Sequence, residues 1–174
     1  MAITYLDKYY AETNQDADGD LRKSSVATRR AQTFTPSVSG KLSQVKFYLK
    51  KVSTPTGNIF AKLYATSSSK PSGTALTTSA NVDVSTLSTD YGLITFTFST
   101  PYLISKANMY AISVEGSWTM DGSSYVKVGL DSNGDFLGGK HWYYGASWSS
   151  IAPAEEVIFY CYMNIINRHK VLFM

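Results

Sequence analysis

The sequence predicts an all-β protein: a two-sheet antiparallel β-sandwich of jelly-roll type, with an N-terminal and a C-terminal extension. From Ala31 onward, short segments with period-2 alternation are separated by clusters of Ser, Thr, Gly, Pro and Asn at roughly ten-residue intervals, the pattern of many short strands joined by turns. The 174 residues include 23 Ser and 17 Thr, small hydroxyl side chains that suit outward strand faces and turns. With 44% apolar and 14% aromatic residues there is enough to fill a core, and no stretch shows a convincing helical period. The length fits a single domain.

Residues 1–30 differ in texture from the rest. Five acids (Asp7, Glu12, Asp16, Asp18, Asp20) and five bases (Lys8, Arg22, Lys23, Arg29, Arg30) are interspersed, with neither strand nor helix period. This predicts an arm in which Ile3, Tyr5, Tyr9 and Tyr10 dock on the body or on a neighbouring subunit, while Arg22, Arg29 and Arg30 meet an acidic partner. The sandwich spans 31–165. In GKLSQVKFYLKK, Val45, Phe47 and Leu49 share one face and Lys46, Tyr48 and Lys50 the other. After a TPTGN turn, Ile59, Ala61, Leu63 and Ala65 line one side of the next strand, so the two strands are expected to be antiparallel neighbours. SSSKPSG, from Ser67 to Gly73, reads as a loop whose Pro71 cannot donate to a central ladder.

Further strands are expected at Asn81 to Val84, Tyr91 to Ser99, Met109 to Glu115, Tyr125 to Leu130, and in GKHWYYG. EVIFYCYMNI, from Glu156 to Ile165, is apolar on both faces and reads as a central strand. Eight to ten strands in about 140 residues fit a two-sheet sandwich. Residues 166–174 form a tail, with Val171, Leu172, Phe173 and Met174 costly to leave in water.

Composition narrows the function. A net charge of +3 and only 17% charged residues, with no clustered basic footprint, argue against nucleic-acid binding. Cys161 is alone, so an intrachain disulfide and Cys-based zinc sites are excluded, and it reads as a buried strand residue. MAITYLDKYY lacks the basic and apolar regions of a signal peptide, and nowhere do about 18 apolar residues run together as a membrane span requires. Neither standard export nor a membrane partner is expected.

The segment from Ala31 to Leu76 carries Gln32, Phe34, Gly40, Leu42, Val45, Pro55, Gly57, Asn58, Leu63, Tyr64, Pro71 and Gly73. In this order they resemble a choice-of-anchor-like β-sandwich module of bacterial and phage surface proteins. Pro101, Leu103, Tyr110 and Ile112, and the aromatic hairpin HWYYGASWSS, extend the likeness over roughly residues 31 to 163. The resemblance implies a sandwich similar in shape to carbohydrate-binding jelly rolls. Exported relatives carry a signal peptide and an anchor, and without these features the chain is expected to be a phage-type virion protein made in the host cytoplasm.

Candidate chemistry is sparse. His141 and His169 are the available neutral-pH bases, neither in a catalytic motif. A pair of working carboxylates would come from Asp83, Asp90, Glu115, Asp121, Asp131, Asp135, Glu155 and Glu156, nearly all expected in turns. DADGD (Asp16, Asp18, Asp20) and DSNGD (Asp131, Asn133, Asp135) place oxygen donors at alternate positions, as calcium loops do. Both lack the later Gly and Glu of an EF-hand, having Leu21 and Phe136, then Ala27 and Trp142, at those positions, so no metal or other cofactor is assigned. Trp118, Trp142, Tyr144 and Trp148 are the candidate glycan or partner platform, with Trp142 and Tyr144 on one strand face and Tyr143 on the other. The expected function is non-enzymatic: a virion head-decoration, tail-associated or fibre protein that binds other virion proteins or copies of itself through its termini, with a weak glycan surface. A carbohydrate-binding module or adhesin of a bacterial surface is the alternative, and a hydrolase ranks third.

Overall fold

A computed structural model describes residues 2–134, 138–150 and 155–166. Among the described residues fourteen strands lie in two antiparallel sheets packed face to face. Of the predicted tail, Ile166 ends the last described strand and 167–174, His169 among them, fall outside the described residues, as do Asp135 and Phe136.

The first sheet is built around β4 (Gly40–Val52), long enough to serve several partners. One edge pairs with β8 (Gly92–Ile104). The other edge is shared by β14 (Phe159–Ile166), opposite Lys41 to Phe47, and β10 (Tyr125–Asp131), opposite Leu49 to Val52. Beyond these lie β1 (Ala2–Tyr10) against β14 and β2 (Ala17–Leu21) against β10, while β13 (Glu156–Val157) joins the end of β10.

The second sheet runs β12 (Trp148–Ser150), β11 (His141–Tyr144), β3 (Arg29–Phe34), β9 (Tyr110–Gly116), β5 (Asn58–Ser67) and β6 (Lys70–Thr78). The short β7 (Val82–Asp83) also pairs with β5. Repeated crossing of the chain between sheets lets each bury one face on the other.

The alternation anticipated for β4 is present: Val45, Phe47 and Leu49 lie on the same sheet face as Phe96 and Phe98 of the neighbouring β8, in one buried core. Phe47 and Phe96 meet edge-on at 6.0 Å, and Phe34 meets Phe159 at 6.1 Å across the sandwich. Each such side chain contributes about 1.5–3 kcal/mol through burial. Ile59, Ala61 and Leu63 extend the core, but Ala65 on the same face lies beyond its end and is exposed. Cys161 is buried, and burial pushes its thiol up, well above the ordinary range.

Several expectations are corrected. Strands β4 and β5 are not neighbours: they belong to opposite sheets. The connection between them carries Ser53 and Gly57 at positive φ and is too long for a two-residue hairpin, so it turns the chain across the sandwich. The loop read in SSSKPSG is a tight turn at Ser68 and Ser69, both at positive φ, and Pro71 already lies in edge strand β6, where a missing N–H costs no ladder bond. The strand expected at 81–84 shrinks to β7, because Val84–Thr86 forms a 3-10 turn capped by Asp83, which accepts from the Ser85 N–H at 2.9 Å. The run at 156–165 is divided at Ile158, whose N–H donates to Gly129 while its carbonyl accepts from Tyr48, so the chain passes from β10 to β4. Its second part, β14, is interior, flanked by β1 and β4.

The largest correction concerns residues 1–30. They are not an arm in their described part, since β1 and β2 complete the first sheet. Their alternation is obscured because β1 is an edge strand with a bulge between Leu6 and Lys8, which shifts the facing of side chains midway. Asp7, at that bulge, accepts from the Ser37 N–H at 3.1 Å.

Candidate functional site

Two surfaces gather the residues that carry chemistry. The first is the outer face of the second sheet. Trp142 and Tyr144 sit opposite Ala31 and Arg29 in β3, while Tyr143 sits opposite Arg30, which turns inward, so the predicted facing of this strand holds. Trp148, from β12, meets the Tyr144 ring edge-on at 5.2 Å and the Tyr64 ring at 5.9 Å. Two strands separate β11 from β5, so contact from Trp148 to Tyr64 means that the hairpin curls over the sheet.

Beneath these rings lies a buried acid. Glu115 accepts from the Tyr64 hydroxyl at 2.7 Å and the Ser113 hydroxyl at 2.9 Å, and pairs with Lys62 at 2.9 Å and Arg29 at 3.5 Å. Arg29 also lies 4.3 Å over the Tyr144 ring. Burial, reinforced by the Glu115 charge, pushes the Tyr64 hydroxyl far above its ordinary pKa. Hence Tyr64, which is buried, acts as a hydrogen-bond donor to Glu115 and not as a base.

Trp118 does not belong to this platform. It is 2% exposed, and its ring fills the space above Gly116, where an added Cβ would stand 1.9 Å from a ring carbon. The loop that carries it folds back over the end of the core instead of projecting. Arg22 fastens it there, donating to the Trp118 carbonyl at 3.0 and 2.6 Å and lying 5.8 Å over the ring.

The residues expected to grip a partner divide in the same way. Tyr5 and Tyr9 are 42% and 52% exposed on β1, with Tyr9 stacked on Tyr160 at 5.4 Å. Tyr10 turns in and donates to the Asp131 carboxylate, and Arg22, Arg29 and Arg30 are bound within the fold. Because β2 and β3 are paired strands, their alternate side chains must face protein.

The second surface is a cleft of about 740 Å³ at the open edge between the sheets, lined by Asp18, Asp20, Lys23, Arg30, Tyr125 and Lys127 among others. Arg30 Nε donates to the Asp20 carbonyl at 2.9 Å, and Nη1 lies 3.1 Å from Nε2 of His141. A guanidinium has only donors, so Nε2 accepts and the His141 proton sits on Nδ1. That nitrogen faces Glu155 at 3.3 Å without closing a straight hydrogen bond. Burial pushes the His141 pKa down, aided by Arg30 and opposed by Glu155, whereas His141 holds Glu155 below its ordinary range. Deeper in, Gln32 donates to Glu156 and accepts from the Val157 N–H at 2.9 Å. Burial raises the Glu156 pKa to about 7, with the nearby Asp131 charge adding to the effect and Gln32 opposing it.

The acidic turns are internally occupied. Asp16 accepts from Ser132 N–H at 2.7 Å, Ser132 hydroxyl at 2.8 Å and Asn133 Nδ2 at 3.0 Å, while Asp18 pairs with Lys127 at 2.6 Å and Asp20 with Lys23 at 3.2 Å. Among the described residues no group of His, Cys, Asp or Glu is placed to hold a metal ion. Glu115 and Glu156 lie in strands, as expected from their segments, and Asp131, expected in a turn, ends strand β10; all three are buried. Sequence reasoning named His141, Glu115 and Glu155 singly as a possible base and possible carboxylates, Arg30 as an attachment residue, and Gln32 and Tyr64 as positions of the resemblance; it missed that Tyr64 joins Glu115 and that Arg30, His141 and Glu155 stand in a row. The one available signal was the alternation in RRAQTF, which puts Arg30, Gln32 and Phe34 on one strand face.

Fold and surfaces together define a two-sheet antiparallel β-sandwich with an aromatic outer face and a polar cleft at its edge. No family model matches the chain, and no curated protein does either.

Proposed function

We propose that this protein is a non-enzymatic structural component of a virion surface, a head-decoration, tail-associated or fibre protein that attaches through its terminal segments. The observation that carries the reading is strand β1. Among the described residues it pairs on one side only, with β14, and Ile3, Tyr5 and Tyr9 stand about half exposed along it. A long edge strand with apolar side chains is a template for sheet extension by another chain. The other long edges carry proline, Pro71 in β6 and Pro101 in β8, and β8 also accepts a bond from the Ala80 N–H at Thr97, whereas the bulge and charges of β1 fall only at its middle, at Asp7 and Lys8. Strand β1 has no proline. The polar groups that could do chemistry hold the fold instead, Glu115 between four donors and Asp16 beneath three.

The test is particle incorporation and oligomeric state. Tyr5→Lys with Tyr9→Lys is expected to reduce incorporation or self-association about tenfold while leaving circular dichroism unchanged. Equal incorporation by the double variant, with a monomeric parent, would remove the attachment reading.

The second reading, a carbohydrate-binding module or adhesin, is favoured by the half-buried Tyr144 and Trp148 rings, which meet on the outer face over the buried Tyr64. Trp142→Ala and Trp148→Ala should each abolish a glycan-array signal, and an unchanged signal would discard it.

A further inference from the structure

We propose that the free edge of β1 pairs with β1 of a second copy of this chain, antiparallel across a twofold axis at Thr4, joining the first sheets of two molecules into one continuous sheet. The inference rests on the attachment reading of β1 and names the partner of that edge.

An edge strand directs alternate N–H and C=O groups away from its one neighbour. Among the described residues β1 is paired only with β14, so one row of its backbone groups faces outward. This edge is guarded over half its length. Asp7, Lys8 and the bulge between Leu6 and Lys8 oppose pairing beyond the middle, whereas residues 2–6 hold no charge, no proline and no bulge. The open half also carries apolar surface. Tyr5 stands opposite Met163, which stands opposite the core residue Leu42, and Ile3 stands opposite Ile165. Tyr5 and Ile3 therefore lie on the core side of the sheet, yet at 42% and 50% exposure the second sheet leaves them uncovered.

The open segment is its own complement. In the register centred on Thr4, Ile3 meets Tyr5 of the second copy, Thr4 meets Thr4, and Tyr5 meets Ile3, so a β-branched and aromatic pair flanks a threonine pair on either side. A centre at Tyr5 would instead set Ile3 against Asp7 in the bulge. An axis perpendicular to the sheet keeps both core faces on one side, and Ile3, Tyr5 and the half-buried Ile165 of the two copies then make one apolar stripe. The assembly is closed, because the two open edges use each other up and no third chain can add at β1. Five paired residues a side bury less than the about 800 Å² per partner of a standard interface, so the dimer is weak, dissociating at roughly tens of micromolar. Copies held side by side on a particle favour it.

Oxidative crosslinking and sedimentation of the full chain form the test. Thr4→Cys places a thiol opposite its copy within disulfide reach, and Cys161 is buried and does not compete. At about 100 µM this variant is expected to give a covalent dimer at least about tenfold faster than Thr95→Cys, at an exposed position on β8. Ile3→Cys mixed with Tyr5→Cys should crosslink to each other about tenfold faster than either does to itself. The parent should sediment as a concentration-dependent dimer, which Thr4→Lys, with like charges face to face, abolishes without changing circular dichroism. A parent monomeric at about 300 µM, equal crosslinking of Thr4→Cys and Thr95→Cys, or a dimer indifferent to Thr4→Lys would each overturn self-pairing. The two readings fail separately. If Tyr5→Lys with Tyr9→Lys reduces incorporation of a protein that is always monomeric, attachment stands through another virion chain and self-pairing falls. If Thr4→Cys crosslinks while that double variant incorporates fully, self-pairing stands and attachment through β1 falls.

Discussion

The ring of Trp118 occupies a place that only glycine at 116 leaves open, and its carbonyl is clasped by Arg22. Truncation to Ala therefore leaves a void bounded by rigid backbone, with Gly57 at positive φ close by, where an added Cβ would stand 3.3 Å from the Trp118 backbone. Trp118→Ala is expected to lower unfolding free energy by about 3–5 kcal/mol, read from urea denaturation. The buried acids and His141 act on stability with opposite signs. Glu156, raised from 4.5 to about 7, contributes stability that is complete below pH 4.5 and lost as pH rises through 7. His141, depressed below 6.5, and Glu155, depressed below 4.5, contribute stability present at higher pH and lost on acidification. In Glu156→Gln the first effect disappears. Relative to the parent, the variant should gain on the order of 1–2 kcal/mol between pH 4.5 and 7, measured by urea titration at several pH values.

At the level of elements, the β5–β6 hairpin has an avoidable cost. Ser68 and Ser69 adopt φ of 50° and 62°, a conformation that L-residues other than Asn and Gly reach with strain. Ser68→Asn with Ser69→Gly is expected to stabilise the protein by about 1 kcal/mol and raise the thermal midpoint by a few degrees. The strands of this hairpin were only partly legible in the sequence, because Pro71 and three serines mimic a loop. Strand β4 was legible throughout, since Val45, Phe47 and Leu49 alternate with Lys46, Tyr48 and Lys50. Strand β1 was not, because an edge strand lacks a wholly buried face and the bulge after Leu6 interrupts its period.

For the molecule as a whole, the first and last described strands meet. Thr4 donates to Asn164, and β1 pairs with β14 along most of its length. Core formation thus requires contacts between distant parts of the chain, and unfolding should be one cooperative transition. Fluorescence of Trp118 and far-UV circular dichroism are expected to give coincident midpoints. Removal of residues 2–10 should expose one edge of β14, lower the midpoint of that transition and speed hydrogen exchange in β14. An arm independent of the body would leave both unchanged.

The sequence alone determined the all-β class, the strand periods of the body and the small-residue turns, because alternation and turn chemistry are local properties of neighbouring residues. It also placed Trp142 and Tyr144 on one face. Tertiary structure alone decided which strands pair, that Trp118 is core, that Arg22 and Arg29 are tied down, and that Arg30 is sunk beside His141 and Glu155. Sheet pairing is made by backbone groups common to every residue, so the choice of partner rests on how two whole sheets bury their faces together. The fate of a charge such as Arg30 follows from that packing.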